Sequence, residues 1–434
     1  MEHVSHWSGH AADLLPPVHD PHGQLADLPR DIAPWPGASA QPQISACLER
    51  ARSNGGWQWP ARPVIFVSDA HADAEGFLRS LVAAGVIRRE AGGFSLTGFG
   101  RSARIIVGGD SLDKGPSNLD LLDALAALRA SGAELDILAG NHDLRMRMAV
   151  DAVRGPRSAL REHLFVRMGR KILPALREVF DRFVTGAELD ALPGEAACAA
   201  RLTPGPDWDL RFAGAARDQL RASAIAREIA KLDEKLAKFD RERAKVGMTH
   251  RELLAAVLKC HEVFFVPGGP YAWFYEEMEV VARSGSLLFV HAGLCDSMCR
   301  LLVSGGPDAV NARYRAEAEQ ASLGFYFGPL ANLVRTKYRP SDCELTQAGV
   351  DLLTRDGLHM IVQGHVNNHT GQTLRAKCGL LHLEGDVTLD RASRRLEGLD
   401  GIGAGATLIF PSGDVIGLSR DYPMAKHFAP GRTA

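Results

Sequence analysis

Arg104-Ile105-Ile106-Val107-Gly108-Gly109-Asp110-Ser111-Leu112-Asp113-Lys114-Gly115 is the stretch on which the fold turns. Its first residues form a short β-branched run, which predicts a buried strand. Two glycines then let the backbone turn sharply, so the Asp110 carboxylate emerges at the strand's C-terminal end. In open α/β sheets that edge is where ligands bind. Asp113 and Lys114 follow within one turn. By itself a carboxylate here is an ordinary turn residue.

Four other segments repeat the pattern of apolar run and then potential metal ligand. Pro63 to Ser68 leads into Asp69-Ala70-His71, and Leu135 to Ala139 into Gly140-Asn141-His142-Asp143. Ser286 to Val290 leads into His291-Ala292-Gly293, and Leu358 to Gln363 into Gly364-His365-Val366-Asn367. Five strands would deliver Asp69, His71, Asp110, Asn141, His291 and His365 to one sheet edge. Oxygen and imidazole donors mixed in this way suit divalent transition metals better than calcium.

The 434 residues allow one large domain with insertions, or two domains. A net charge of -2 points away from a general nucleic-acid binder. No apolar run is long enough to span a bilayer, and Met1 to His6 has neither the basic nor the apolar region of a secretory signal. Seven scattered cysteines fit free thiols in a reducing compartment, so the expected location is the cytoplasm. Cys295 and Cys299 are read as small residues on one helix face rather than as a soft-metal site.

Residues 1–60 read as an irregular arm, broken by prolines, with a short helix from Gln41 to Ser53. Histidines 3, 6, 10, 19 and 22 hold no fixed spacing and are read as solvated. Residues 61–150 alternate strands with helices, including a helix opened by Ser117, which favours a parallel sheet. A hairpin is expected over Phe94–Phe99. Residues 151–284 turn helical. Ile225, Ile229, Leu232, Leu236 and Phe239 predict one amphipathic helix, and Thr249 with Glu252 predicts a capping box. This insertion is either a cap beside the site or a homodimerisation arm. Residues 285–425 return to strands, with Gly401, Gly403 and Gly405 read as a turn.

The ordered set D-x-H, G-D-x-x-D-[RK]-G, G-N-H-[DE], H-A-G and G-H resembles the calcineurin-like metallophosphoesterases, most closely their phosphoprotein phosphatase branch of bacterial type. The resemblance runs from Asp69 to His365. It implies a four-layer α/β/β/α sandwich carrying the helical insertion. It also implies two divalent cations, drawn from Mn, Fe or Zn with Mg admissible, and hydrolysis of phosphate monoesters. Asp110 would bridge the pair; Asp69 and His71 would complete one metal's protein ligands, and Asn141, His291 and His365 the other's. His142 would be the acid for the leaving oxygen, its pKa raised and its tautomer set by Asp113. Lys114 and Asn141 would meet the substrate phosphate. Lys114 replaces the branch's usual arginine and loses its bidentate fork. Arg145, Arg335 and Arg339 are further phosphate candidates, each read as a surface arginine because no motif places it. The substrate would be a phosphorylated protein or a small phosphorylated metabolite, dinucleoside polyphosphates included. A non-catalytic metal-binding scaffold is the reading from another class.

Overall fold

In the computed structural model, which describes residues 15–18, 28, 31–35, 41–319 and 323–430, the apolar runs become short strands buried on both faces. Val64–Val67, Leu287–Val290 and Met360–Gln363 are buried at every position. Successive side chains point to opposite faces of a strand, so each run divides between two cores. Val64 and Phe66 join Leu287, Phe289, Met360 and Val362 in one core. Ile65 and Val67 join Phe77, Leu81 and Leu122 in another.

The first core lies between two sheets. The larger, eight-stranded sheet runs in the order Ile32–Pro34, Ala425–Phe428, Val415–Ser419, Gly405–Ile409, Val64–Val67, Arg104–Val107, Glu134–Leu138, Met278–Glu279. From Val64–Val67 onward its strands are parallel. The five-stranded sheet runs Thr373–Lys377, Leu380–Glu384, Met360–Gln363, Leu287–Val290, Val281–Ser284, with its three central strands parallel. Phe66 and Phe289 meet across the gap with ring centroids 6.0 Å apart. Helices cover the outer faces, which completes the four-layer α/β/β/α sandwich.

Local chemistry explains several element boundaries. Ser117 accepts from Asp120 N and opens the helix Asn118–Ala130. Glu178 adds a carboxylate to the same end, accepting from Asn118 N and Leu119 N. Thr249 and Glu252 form the expected capping box.

Other elements differ from expectation. The N-terminal stretch contributes an edge strand, Ile32–Pro34, paired with Ala425–Phe428; an edge tolerates Pro34 because one face of its backbone needs no donor. The hairpin lies earlier than expected, Ile87–Glu90 with Gly93–Leu96, and Gly98–Ser102 is a short helix capped by Thr97. The single helix expected through Ile225 and Phe239 is two, Ala222–Ala230 and Leu232–Lys245. Phe239 then packs on Phe165, with centroids 5.4 Å apart, over a Gly169 that leaves no room for a Cβ. Strands resume at Met278. Histidines 3, 6, 10, 19 and 22 lie outside the described residues. All seven cysteines are free, and only Cys378 is exposed. Among the described residues no helix is long and apolar enough to cross a membrane.

Candidate metal centre

Asp69, Asp110 and Asn141 follow the C-terminal ends of three adjacent parallel strands of the larger sheet, and His291 and His365 follow two of the smaller. The sandwich brings these ends together. The loops are hydrogen-bonded to each other by backbone: Asp69 N donates to Gly109 O at 3.0 Å and His71 N to Asp110 O at 2.9 Å. His365 N donates to Asp69 Oδ2 at 2.9 Å, linking the two sheets. Such closeness excludes side chains at some positions. A Cβ on Gly140 would lie 2.0 Å from Asp110 N, and one on Gly364 1.8 Å from Ser68 Oγ.

The backbone is strained where the ligands sit. Asp69, His71, Ala72, Asp110, Asp113, Lys114 and His365 all have positive φ, between 44° and 75°. Non-glycine residues rarely adopt this region, and such strain concentrates at functional sites.

Two groups of donors result, His71 with Asp110 and His142, and Asp110 with His291 and His365. Within each, the ligand atoms lie within 4.8 Å of one another. Asp110 belongs to both. Its Oδ2 lies 3.9 Å from His71 Nε2, 3.8 Å from His142 Nε2 and 3.4 Å from His291 Nε2. Its Oδ1 accepts from His142 N at 2.7 Å, which fixes the carboxylate's orientation. Asp69 Oδ1 is 3.8 Å from His71 Nε2. His291 turns Nδ1 to Gly108 O at 2.7 Å, leaving Nε2 to face Asp110.

Two observations test whether these residues fit cations. His291 Nε2 is buried without a hydrogen-bond partner. Beside it the Asn141 amide lies 3.0 Å from His365 Nδ1. In the other group a cation is already present, for Lys114 Nζ sits 2.7 Å from His71 Nε2 and 3.3 Å from Ser393 Oγ. These buried His and Asp groups are suited to hold metal ions.

Burial and neighbouring charge shape the protonation states. Burial pushes Asp69 up to about 6. Burial opposes ionisation of Asp110 too, yet His142 and His291 hold it well below the usual carboxylate range. For His291 burial works against the charge, but Asp110 and Asp69 raise it to about 10.

His142 Nδ1 meets Asp113 Oδ2 at 2.6 Å, so the expected pair forms. Its direction of shift is opposite to expectation. Burial, helped by Arg145, holds His142 below its usual value despite Asp110 and Asp113.

The remaining site residues scatter differently. Asn141, Arg145, Arg335, Lys337, Arg339 and His365 line one cavity of about 190 Å³. Arg335 and Arg339, read from sequence as surface residues, therefore face the site. Lys114 does not line this cavity; meeting a phosphate there requires it to leave His71.

Four residues escaped the sequence reading. Asp143 accepts from Ser111 N, Leu112 N and Gly140 N, and so clamps two ligand loops together. Lys171, from the helix Leu164–Phe183, brings Nζ to 3.7 Å from Asp113 Oδ2. Asp386 is buried, and burial with the Asp69 charge keeps its carboxyl well above its usual value. Lys337 sits in a loop with no motif. Only the G-N-H-D run hinted at the first; the others depend on contacts distant in sequence.

No protein-family model matches the chain, and no curated protein matches it. Solved structures similar to it include a cold-active protein tyrosine phosphatase, at 13% identity over 84% of this chain and 78% of that one, TM-score 0.44. A second structure of such an enzyme, from a psychrophilic Shewanella, shares 15% identity over 84% and 80%, TM-score 0.41. A protein serine/threonine phosphatase from Saccharomyces cerevisiae shares 10% identity over 86% and 82%, TM-score 0.37. Likeness at this level assigns no activity to this chain.

Proposed function

We propose that the chain is a metal-dependent phosphoesterase that hydrolyses phosphate monoesters at a site for two divalent ions. The observation that carries this reading is that one carboxylate, Asp110, is shared by two groups of metal-suited donors, with His142 against it. When bound, such a pair supplies Lewis acidity toward the phosphoryl oxygens and an acidified water as nucleophile. Asp69, His71 and Asp110 would hold one ion, and Asp110, Asn141, His291 and His365 the other. Mixed oxygen and nitrogen donors favour Mn, Fe or Zn.

The chain's own groups handle orientation and the proton. Asp113 accepts from His142 Nδ1 and leaves Nε2 as the atom that holds the proton for the leaving oxygen. Burial biases His142 to neutral. A bound phosphate dianion would push it upward, since a nearby negative charge favours imidazolium. Arg145 and Asn141, on the cavity wall, would orient the phosphoryl oxygens. The helices from Leu164 on serve as a cap in this reading: they supply Lys171 beside Asp113, and they supply Arg167 beside Tyr326 in the cavity lining.

The test pairs metal content with turnover of aryl monoesters, aryl diesters, phosphopeptides and sugar phosphates. His142→Asn is expected to keep its metal and lose roughly 10²–10⁴-fold in kcat. Faster turnover of diesters than monoesters, or no turnover by fully metal-loaded protein, would defeat the proposal.

A further inference from the structure

The cavity beside the metal centre holds more positive charge than one phosphate ester uses. Arg145, Arg335, Lys337 and Arg339 line it with one acid, Asp342, while Asp113 pairs with Arg145 at 3.9 Å from outside the lining. Asp342 is committed elsewhere: its Oδ2 accepts from Lys337 N at 2.9 Å, Arg339 N at 3.0 Å and Thr336 Oγ1 at 3.1 Å. A phosphomonoester dianion brings two negative charges, and metal ions would already stand opposite them.

Exposed cations such as Lys337 and Arg339 are usually solvated, but this loop is built to hold them in place. Between them Tyr338 adopts φ 53°, a conformation costly for a bulky residue. Its hydroxyl reaches inward to Leu294 N at 3.2 Å and His382 Nε2 at 2.9 Å. Gly293, two residues after His291, leaves the room it needs, since a Cβ there would lie 2.4 Å from that hydroxyl. The strained residue thus pins the loop while its two neighbours line the cavity.

Arg335 is held as well. Its guanidinium lies 4.4 Å from the Tyr326 ring centroid, with Arg167 at 5.0 Å. The Tyr326 hydroxyl reports the field. Burial opposes its ionisation, yet Arg167, Arg335 and Arg145 bring it down to about 8. Arg145 Nη1 is buried without a hydrogen bond, its ion pair with Asp113 Oδ2 lying at 3.9 Å.

We propose that Arg335, Lys337 and Arg339 form a second anion subsite, and that the substrate is a small phosphate ester bearing a second phosphoryl group. This rests on the phosphoesterase reading for the first phosphate. Asn141 and His365 line the same cavity as these cations, so one compact ester reaches both subsites.

The test compares fructose 1,6-bisphosphate, fructose 6-phosphate and an acidic phosphopeptide as substrates of the wild type and of the Lys337→Gln/Arg339→Gln variant. The expected wild-type kcat/KM favours the bisphosphate over the monophosphate by about tenfold or more, mostly through KM. In the variant that ratio falls to about one. A wild-type ratio near one, equal losses on both sugars, or a phosphopeptide that outpaces the bisphosphate overturns the proposal. Calorimetry with inorganic pyrophosphate and inorganic phosphate separates the two readings. Should no ester be turned over, the phosphoesterase reading fails. Tighter pyrophosphate binding that the variant loses still supports the subsite, and equal binding of the two anions refutes it.

Discussion

Removing the Asp421 carboxylate should destabilise the protein far more than its position near the C-terminus suggests. Its partner, Arg394, is a guanidinium with 1% exposure. Asp421 meets it with both oxygens, at 2.6 and 2.8 Å. The other donors go to Asp400 O and to Thr388 O. In Asp421→Ala those carbonyl bonds remain, but the cation loses its only counter-charge among the described ion pairs. Breaking one side of a buried pair costs about 3–5 kcal/mol. The effect should reach the metal centre. Arg394 belongs to the helix Arg391–Glu397, whose Ser393 touches Lys114 and whose Arg391 forks onto Asp73 beside the first ligand loop. Urea unfolding with and without Mn²⁺ measures both consequences. Asp421→Ala should lose about 3–5 kcal/mol and bind metal more weakly. Adding Arg394→Leu should recover part of the loss, because the orphaned charge goes with it. A loss under about 1 kcal/mol, or a double variant worse than Asp421→Ala, would refute the reasoning.

Other outcomes follow from the same geometry. Gly140→Ala, whose Cβ would lie 2.0 Å from Asp110 N and 2.2 Å from its Oδ1, should abolish metal binding while far-UV circular dichroism shows the helices retained. Metal affinity should rise with pH, because His291 must be neutral to bind and is held protonated up to about 10 in the metal-free protein. The sign for stability is opposite: its raised pKa stabilises the metal-free fold fully below about 6.5, and that contribution is lost as pH climbs through about 10. Titration with Mn²⁺ between pH 7 and 9 should therefore show affinity gaining about tenfold per pH unit, and a flat profile would contradict it.

The fold was legible where one short run carries its own signal. Val64–Val67, Arg104–Val107 and Met360–Gln363 are continuous apolar strands ended by glycine or a polar ligand, and they could be placed from composition alone. Ile32–Pro34 could not, because three residues at a sheet edge have no period, and its pairing partner lies at the other end of the chain. The break between Ala230 and Leu232 was hidden because both helices keep the apolar spacing across it. At the site, the residues at the ends of the strands converge as their motifs suggested. Lys171, Lys337 and Asp386 were invisible because their significance is a distance to something far away in sequence. The His142 shift went the other way because burial is a property of the packed molecule, while a neighbouring carboxylate can be inferred from a motif.

The central claim is that Asp110 is shared between two cations. Elemental analysis of protein reconstituted with Mn²⁺, with His291→Ala and Asp110→Asn alongside, tests it most directly. Two equivalents per wild-type chain, one remaining in His291→Ala and both weakened in Asp110→Asn, is the predicted pattern. A wild type that binds no metal, or an Asp110→Asn variant that still holds one ion at wild-type affinity, would contradict it.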